Sequence, residues 1–499
     1  MQASNGVSSA VMAVRFELNG EPVRVDDVAP HVTLLQWLRS AGLTGTKEGC
    51  AEGECGACAV AVVASDARGR SVFEPVNSCL LPLASLAGRR VITSEGIAPA
   101  GGGLHPVQRA LVDQGGSQCG YCTPGFVVSL FCEYYRPGRS AYDPEAISGN
   151  LCRCTGYRPI VAAARTLTPP SPDDPWLHVE RTSAVRDTDD DLAGGTEANG
   201  RFLRPTSLRG ALEALSVFPD ATPIAGGTDM MVAANQRFQR WTTLVALDSV
   251  AELTRVESTS EELTLGAAVS LSRLEEHLKE GRRDGAGLDH IPLLSQLLPL
   301  FSSRLIRNRA TLGGNLATGS PIGDAAPVLL ALDAELTLAS ASGTRRVALR
   351  DFFVGYRQTA LETGELIAQI HLPLPLPRRQ SFYKVSKRVL DDISTVSGAF
   401  ALTLDGDGRV ERMRAAYGGV AATPLYAPSL GDLAFGRPWT DDTLAVLLAA
   451  VKSLGAPLSD HRGSASYRRA MTGQLLERFF AETRETPDTA AAASGRGVR

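Results

Sequence analysis

No run of about 20 uncharged apolar residues occurs along the chain, so it offers no membrane-spanning helix. The first 18 residues, MQASNGVSSAVMAVRFEL, lack a basic stretch followed by a long apolar core, which argues against a secretory leader. A cytoplasmic protein without a membrane partner is expected. Histidine is scarce: the seven residues stand singly, none in an H-x-x-x-H or similar pair, and each reads as a surface or satisfied core residue. Walker A and G-x-G-x-x-G motifs are missing, so neither of those phosphate loops is present. A net charge of −4 gives no general attraction to nucleic acid or anionic lipid, and no nucleic-acid partner is expected.

What is there begins with size. At 499 residues the chain is too long for one core, and three or four domains are expected, in an ordinary composition of 44% apolar and 21% charged residues. Eight of the nine cysteines fall into two sets of four. Cys50, Cys55, Cys58 and Cys79 read C-x4-C-x2-C with a later fourth, the plant-type ferredoxin spacing. Cys119, Cys122, Cys152 and Cys154 form a C-x2-C and a distant C-x-C. Thiols stay reduced in the cytosol, so clustered cysteines read as metal ligands and not disulfides. A lone C-x2-C would favour zinc. The full plant-type pattern and the C-x-C arm favour two iron–sulfur centres, and therefore one-electron transfer.

The two sets use different local devices. Gly49, Gly53 and Gly56 are expected to take positive φ and turn successive N–H groups toward the sulfurs of the first set. The second set lies in turns just before two helices, whose N-termini favour thiolates; Arg153, Tyr157 and Arg158 crowd one of these turns. Cys132 sits mid-helix and reads as a small buried hydrophobe.

Local patterns suggest the organisation. VRFELNGEPVRV (14–25) reads as a hairpin turning at Asn19-Gly20, LLQWLRSAG (34–42) as a helix and AVAVVAS (59–65) as a buried strand. These predict a β-grasp ferredoxin domain over 12–98. Four helical segments predict a small four-helix bundle over 99–168, the third opening at Asp143-Pro144. A Pro/Asp/Gly-rich linker over 169–200, an α+β domain over 201–375, a C-terminal α+β subdomain over 376–485 and a tail over 486–499 complete a multidomain α+β chain. The break near 375 is placed at the proline run LPLPLP (372–377). Two glycine-rich turns, Ile224–Met230 and Thr311–Asp324, allow a backbone to approach a pyrophosphate closely. Alone, either would read as a structural turn; downstream of two iron–sulfur sites they indicate a dinucleotide.

GCAEGECGAC (49–58), QCGYCTPGF (118–126), GNLCRCTGYRPI (149–160), TLGGNLATGSPIGD (311–324) and FFVGYRQT (352–359) together resemble the molybdenum hydroxylase family, xanthine dehydrogenases among them. The resemblance runs over about residues 12–485 and stops where the molybdenum domains of that family would begin. It implies a flavoprotein fold of the molybdenum hydroxylase type, two [2Fe–2S] clusters, FAD, NAD+ as acceptor, and a separate molybdopterin-binding large subunit in an α2β2 heterotetramer. It further implies oxidation of hypoxanthine or xanthine to urate on that partner. Electrons would then pass through the second cysteine set, the first set and FAD to NAD+. The alternative is a reductase module for another molybdenum hydroxylase acting on an aldehyde, nicotinate or a similar N-heterocycle.

Residue roles follow from the same motifs. Gln118 is expected near the molybdopterin. Pro223, Ile224, Ala225, Gly226, Gly227, Thr228, Asp229 and Met230 should wrap the FAD pyrophosphate, with Thr311, Gly314, Asn315, Thr318 and Asp324 completing the cradle. Phe301 should stack on the flavin, the other reading being a core aromatic beside Leu300; Ile367 and Lys384 are further FAD contacts. Tyr356, Lys387, Arg388 and Asp391 fall in or near the nicotinamide region. No residue for substrate hydroxylation is expected on this chain. Two departures from the family pattern are Ser386–Leu390, which replaces an often arginine-paired segment, and Asp229, which stands where some relatives have glutamate.

Overall fold

The computed structural model describes residues 13–66, 68–99, 101–180, 200–284 and 291–484. The expected domain start at residue 12, most of the 169–200 linker and the 486–499 tail lie outside these residues. The chain divides into two compact units. One holds the described residues of 1–252, 270–273 and 303–311; the other holds those of 253–269, 274–302 and 312 onwards.

The first unit opens with a hairpin of β1 (Ala13–Leu18) and β2 (Glu21–Asp26). Asn19 and Gly20 take positive φ, 54° and 88°, as a two-residue hairpin turn requires. Val14, Phe16 and Leu18 face the core because successive strand side chains alternate. Helix α1 (Leu34–Ser40) begins at a reciprocal cap: the Thr33 hydroxyl accepts from the Gln36 N–H, and the Gln36 side chain accepts from the Thr33 N–H. Strands β3 (Ala59–Ser65), β4 (Ser71–Asn77) and β5 (Arg90–Ile92) complete a sheet in the order β2-β1-β5-β3-β4. This is the expected β-grasp layout.

Helices α2 (Pro106–Asp113), α3 (Thr123–Tyr134) and α4 (Arg158–Thr166) follow. Nearly all of α3 is buried, which makes it the centre of the helical part. The expected third helix of the bundle is only a 3-10 turn, Pro144–Ile147, capped by Asp143. The run is too short to nucleate an α-helix, and its Glu145 is drawn instead to Arg304 and to fully buried Arg307. The start of the Pro/Asp-rich stretch is docked: Trp176 meets Phe131 and Phe73 edge-on, with centroids 5.0 and 5.8 Å apart. Strand β6 (Arg201–Leu203), helix α5 (Leu208–Val217), strand β7 (Thr222–Ile224), helix α6 (Met230–Gln236) and strand β8 (Thr243–Ala246) build a parallel sheet in the order β6-β8-β7. Phe202, Ile224, Met231 and Leu244 share one core with Phe16, Leu34 and Leu80 of the β-grasp part.

The second unit has two main sheets. Strands β9 (Val256–Ser258), β10 (Glu262–Gly266), β11 (Glu335–Ser340) and β12 (Gly343–Ala348) precede a ribbon of β13 (Phe353–Gly355) and β14 (Gln358–Thr359). Strand β15 (Leu366–Pro373) closes an antiparallel sheet in the order β12-β11-β15-β10-β9. After the proline run, β16 (Arg379–Val385), β17 (Val396–Leu404), β18 (Val410–Gly418) and β19 (Leu425–Tyr426) form the other sheet. Helix Ala465–Thr483 covers it through Leu476 and Phe479, which join Phe400 and Tyr417 in one core. Among the described residues no helix is long and apolar enough to cross a membrane.

Candidate iron–sulfur and flavin sites

The first cysteine set lies on the loop between α1 and β3, with Cys79 just beyond β4. Its thiols gather two by two: Cys55 hydrogen-bonds Cys50, and Cys79 hydrogen-bonds Cys58. The shared proton pulls the Cys50 thiol down to about 5 and lowers Cys58, while Cys55 and Cys79 are pushed up. Backbone N–H groups of Glu52, Glu54 and Cys55 point at Cys50 Sγ, and that of Ala57 points at Cys55 Sγ. The glycine expectation is corrected at one position. Gly53 and Gly56 take φ of 84° and 64°, but the third positive φ belongs to Ala51, at 57°, and not to Gly49. Gly49 is required for space: a Cβ there would lie 2.7 Å from Cys55 Sγ.

The second set repeats the pairing. Cys154 Sγ lies 3.4 Å from Cys119 Sγ, and Cys122 hydrogen-bonds Cys152. Burial pushes Cys122 up to about 12. Burial also raises Cys152, but the Thr155 hydroxyl and N–H outweigh it and lower that thiol. Cys122 caps α3, and Cys152 and Cys154 occupy the turn before α4, as read from sequence. The Tyr157 hydroxyl accepts from the Cys152 N–H at 3.0 Å, while Arg153 and Arg158 are exposed. Gln118, Cys119 and Cys154 are exposed together, whereas Cys58 and Cys79 are buried. Cys132 is buried in α3, apart from both sets.

Two pairs per set fit a two-iron cluster, in which each iron takes two cysteine sulfurs. Thiol donors ringed by N–H groups suit an anionic cluster.

Several residues missed in the sequence support these loops. Buried Asn77 donates to the Gly53 carbonyl, and buried Asn150 donates to the Gly56 carbonyl. Each stands two residues before a ligand cysteine, a spacing visible in the sequence once both sets are aligned. The Tyr121 hydroxyl donates to the Glu48 carbonyl, and the Leu151 N–H donates to the Cys55 carbonyl at 2.9 Å. Asn235 and Gln236, at the end of α6, donate to the carbonyls of Cys50, Ala51 and Cys79. No local signal marks these two.

The flavin-type residues fall in both units. In the first, Pro223 and Ile224 end β7, Ala225–Asp229 make the turn and Met230 opens α6. A Cβ on Gly226 would lie 1.9 Å from the Arg309 carbonyl oxygen, and Gly227 has φ 76°, so both positions require glycine. Thr311 is buried and bridges to Ser270.

In the second unit, Gly314 and Asn315 lie on the short helix Leu312–Ala317 and Thr318 follows it. Asn315 presents a buried side-chain oxygen without a partner, an acceptor left for something else. Gly319 packs on the backbone of Arg357, beside Tyr356, which is 61% exposed. Asp324 and Lys384 form a buried pair at 3.1 Å, and the Ser394 hydroxyl donates to Asp324 at 2.6 Å. Lys384 also donates to the Leu300 carbonyl at 2.9 Å, and the Ser302 hydroxyl donates to Asp391 at 3.1 Å. The residues on either side of half-buried Phe301 are thus tied to Lys384 and Asp391. Ile367 is a buried β15 residue paired in register with Leu338. Lys387 donates to the His461 carbonyl, and Arg388 donates to the Asp391 carbonyl.

Family models match in order along the chain: a 2Fe-2S iron-sulfur cluster binding domain over 16–83, a [2Fe-2S] binding domain over 93–165, an FAD binding domain in molybdopterin dehydrogenase over 197–375, and a CO dehydrogenase flavoprotein C-terminal domain over 381–483. The chain belongs to the molybdenum hydroxylase family. It is an iron–sulfur and flavin electron-transfer module of that family, with each cysteine set inside its own cluster-binding domain. The xanthine dehydrogenase of Emericella nidulans is 32% identical over 94% of this chain and 38% of its own length. Xanthine dehydrogenase 1 of Arabidopsis thaliana is 31% identical over 93% and 39%. The chain therefore spans about two fifths of the curated relatives it matches. Among solved structures, a CO dehydrogenase chain from Oligotropha carboxidovorans superposes with a TM-score of 0.52 at 29% identity, covering 56% of this chain and 95% of that one. A quinoline 2-oxidoreductase chain from Pseudomonas putida 86 gives 0.51 at 28%, covering 58% and 96%.

Proposed function

We propose that this chain is the electron-transfer subunit of an NAD-dependent xanthine dehydrogenase whose molybdopterin site lies on a partner subunit, in an α2β2 assembly. The carrying observation is the arrangement of domains. Relatives named xanthine dehydrogenase align along 93–94% of the chain, whereas the CO dehydrogenase and quinoline oxidoreductase chains match only 56–58% of it.

The chain's own residues suit a directed route. Exposed Gln118, Cys119 and Cys154 present the second set to a partner. The Leu151–Cys55 hydrogen bond joins that set's loop to the first set. Helix α6 joins the first set's loop to the 224–230 turn. When bound, two [2Fe–2S] clusters and FAD supply one-electron steps that end in a two-electron delivery to NAD+. Pro223–Met230, Thr311, Gly314, Asn315, Thr318 and Asp324 would hold FAD, with Phe301, Ile367 and Lys384 beside its ring system. Tyr356, Lys387, Arg388 and Asp391 would border the nicotinamide.

The test is co-purification with a molybdopterin-binding subunit. About four irons and one FAD per chain are expected, together with NAD+-dependent urate formation from xanthine only when both subunits are present. Full iron and FAD without turnover of any purine would overturn the xanthine reading. The second reading, a module for another N-heterocycle or aldehyde hydroxylase, draws on the quinoline oxidoreductase likeness. Turnover of such a substrate in the same assay would establish it.

A further inference from the structure

The loop of the first cysteine set is held from outside by a side chain 156 residues away from its last cysteine. Asn235 splits its two amide protons: Nδ2 donates to the Ala51 carbonyl at 3.0 Å and to the Cys79 carbonyl at 2.8 Å. Those carbonyls adjoin the two thiol pairs, Cys50 with Cys55 and Cys58 with Cys79. The next residue, Gln236, donates to the Cys50 carbonyl at 2.9 Å.

The Ala51 peptide has a specific geometry. A trans peptide is planar, so its C=O and N–H point in opposite directions. The carbonyl belongs to Ala51, and the N–H of the same peptide belongs to Glu52. That N–H points at Cys50 Sγ, with the nitrogen 3.4 Å from the sulfur. Pinning the carbonyl outward therefore aims the N–H inward. Ala51 has φ 57°, a conformation costly for a residue with a Cβ, so the peptide needs such a restraint. Helix α6 can supply it because Met231, Ala233 and Ala234 are buried and fix its position.

We propose that Asn235 is a positioning residue for the first [2Fe–2S] centre. By orienting the Ala51–Glu52 peptide it keeps an N–H···S bond on Cys50, and N–H···S bonds raise the reduction potential of a cluster. Gln236 assists at the neighbouring peptide. Since α6 opens at the Ile224–Met230 turn, the same short helix links the flavin-type turn to the potential of the first centre. This inference rests on the iron–sulfur reading of the cysteines.

The test is an anaerobic redox titration of the full chain followed by electron paramagnetic resonance, with iron and sulfide measured alongside. The signal of the first set is identified as the one lost in C79A. In N235L that signal should shift to lower potential, with a further drop in N235D, where a carboxylate can neither donate nor stay neutral. The signal of the second set should hold still. Q236L should move the first signal in the same direction by less. Iron loss confined to the first set in N235L would also support the role. First-set signals unshifted in both N235L and Q236L would overturn it, as would equal iron loss from both sets with Q236L unshifted. A wild-type chain with no [2Fe–2S] signal at all would instead remove the iron–sulfur reading itself.

Discussion

The backbone N–H of Leu151 donates to the carbonyl of Cys55 at 2.9 Å, so the loops of the two cysteine sets are joined backbone to backbone, beside the Asn150 bond to the Gly56 carbonyl. Leu151 precedes Cys152, and Cys55 is itself a thiol donor. The two sets therefore meet through backbone, and the junction tolerates little added volume.

Gly125 and Gly56 mark that closeness. A Cβ on Gly125 would lie 2.1 Å from the Gly56 carbonyl oxygen, and one on Gly56 would lie 2.2 Å from the Gly149 carbonyl oxygen. Backbone cannot yield as a side-chain end can. G125A is expected to destabilise the first unit by about 1–3 kcal/mol through overpacking. Iron analysis should find the second set depleted before the first, while C132A keeps the full complement.

The Lys384–Asp324 pair is buried on both sides, with side chains 4% and 7% exposed. D324N would leave the ammonium without its counter-charge, which costs about 3–5 kcal/mol when a buried pair is broken. Urea unfolding of D324N, K384M and the double variant D324N/K384M should show the double variant less destabilised than the sum of the single ones. Additive losses would mean that the pair is not coupled.

His105 supplies a pH dependence. Its Nδ1 accepts from the Val107 N–H, so Nε2 carries the proton and faces the Tyr135 hydroxyl at 2.8 Å; that hydroxyl donates on to Asp174. Burial pushes the imidazole from its ordinary 6.5 down to about 4. A depressed folded value means that the unfolded chain binds the proton more readily. The stability from neutral His105 is thus complete above pH 6.5 and is lost as pH falls through about 4. Urea midpoints measured from pH 7.5 to 5.5 should fall for the wild type, and H105Q should flatten that slope.

Local chemistry made much of this legible in the sequence. Asn19-Gly20 announced the first hairpin, because only residues tolerant of positive φ close a two-residue turn. The cysteine spacings announced both thiol sets, since a loop wrapped around a cluster is a local object. The Gly226-Gly227 turn was legible for the same reason. Ala51 was not, because a positive φ at alanine is imposed by its surroundings. Trp176 was hidden in a Pro/Asp-rich stretch whose composition reads as linker, although its ring docks on Phe73 and Phe131. Asp143-Pro144 was a correct start signal for a helix that goes no further than one turn.

By itself, the order of residues determined which thiols belong together, where the chain turns tightly and which segments are strand or helix. These depend on spacing, φ preference and periodicity over a few neighbours. Only the tertiary structure decided that the thiols gather in pairs, that Asn235 reaches back to Ala51 and Cys79, and that Lys384 meets Asp324. The Asn235 and Lys384 contacts join residues 60 to 184 positions apart. At such separations no local pattern survives, and burial together with the need to satisfy every buried polar group makes the choice.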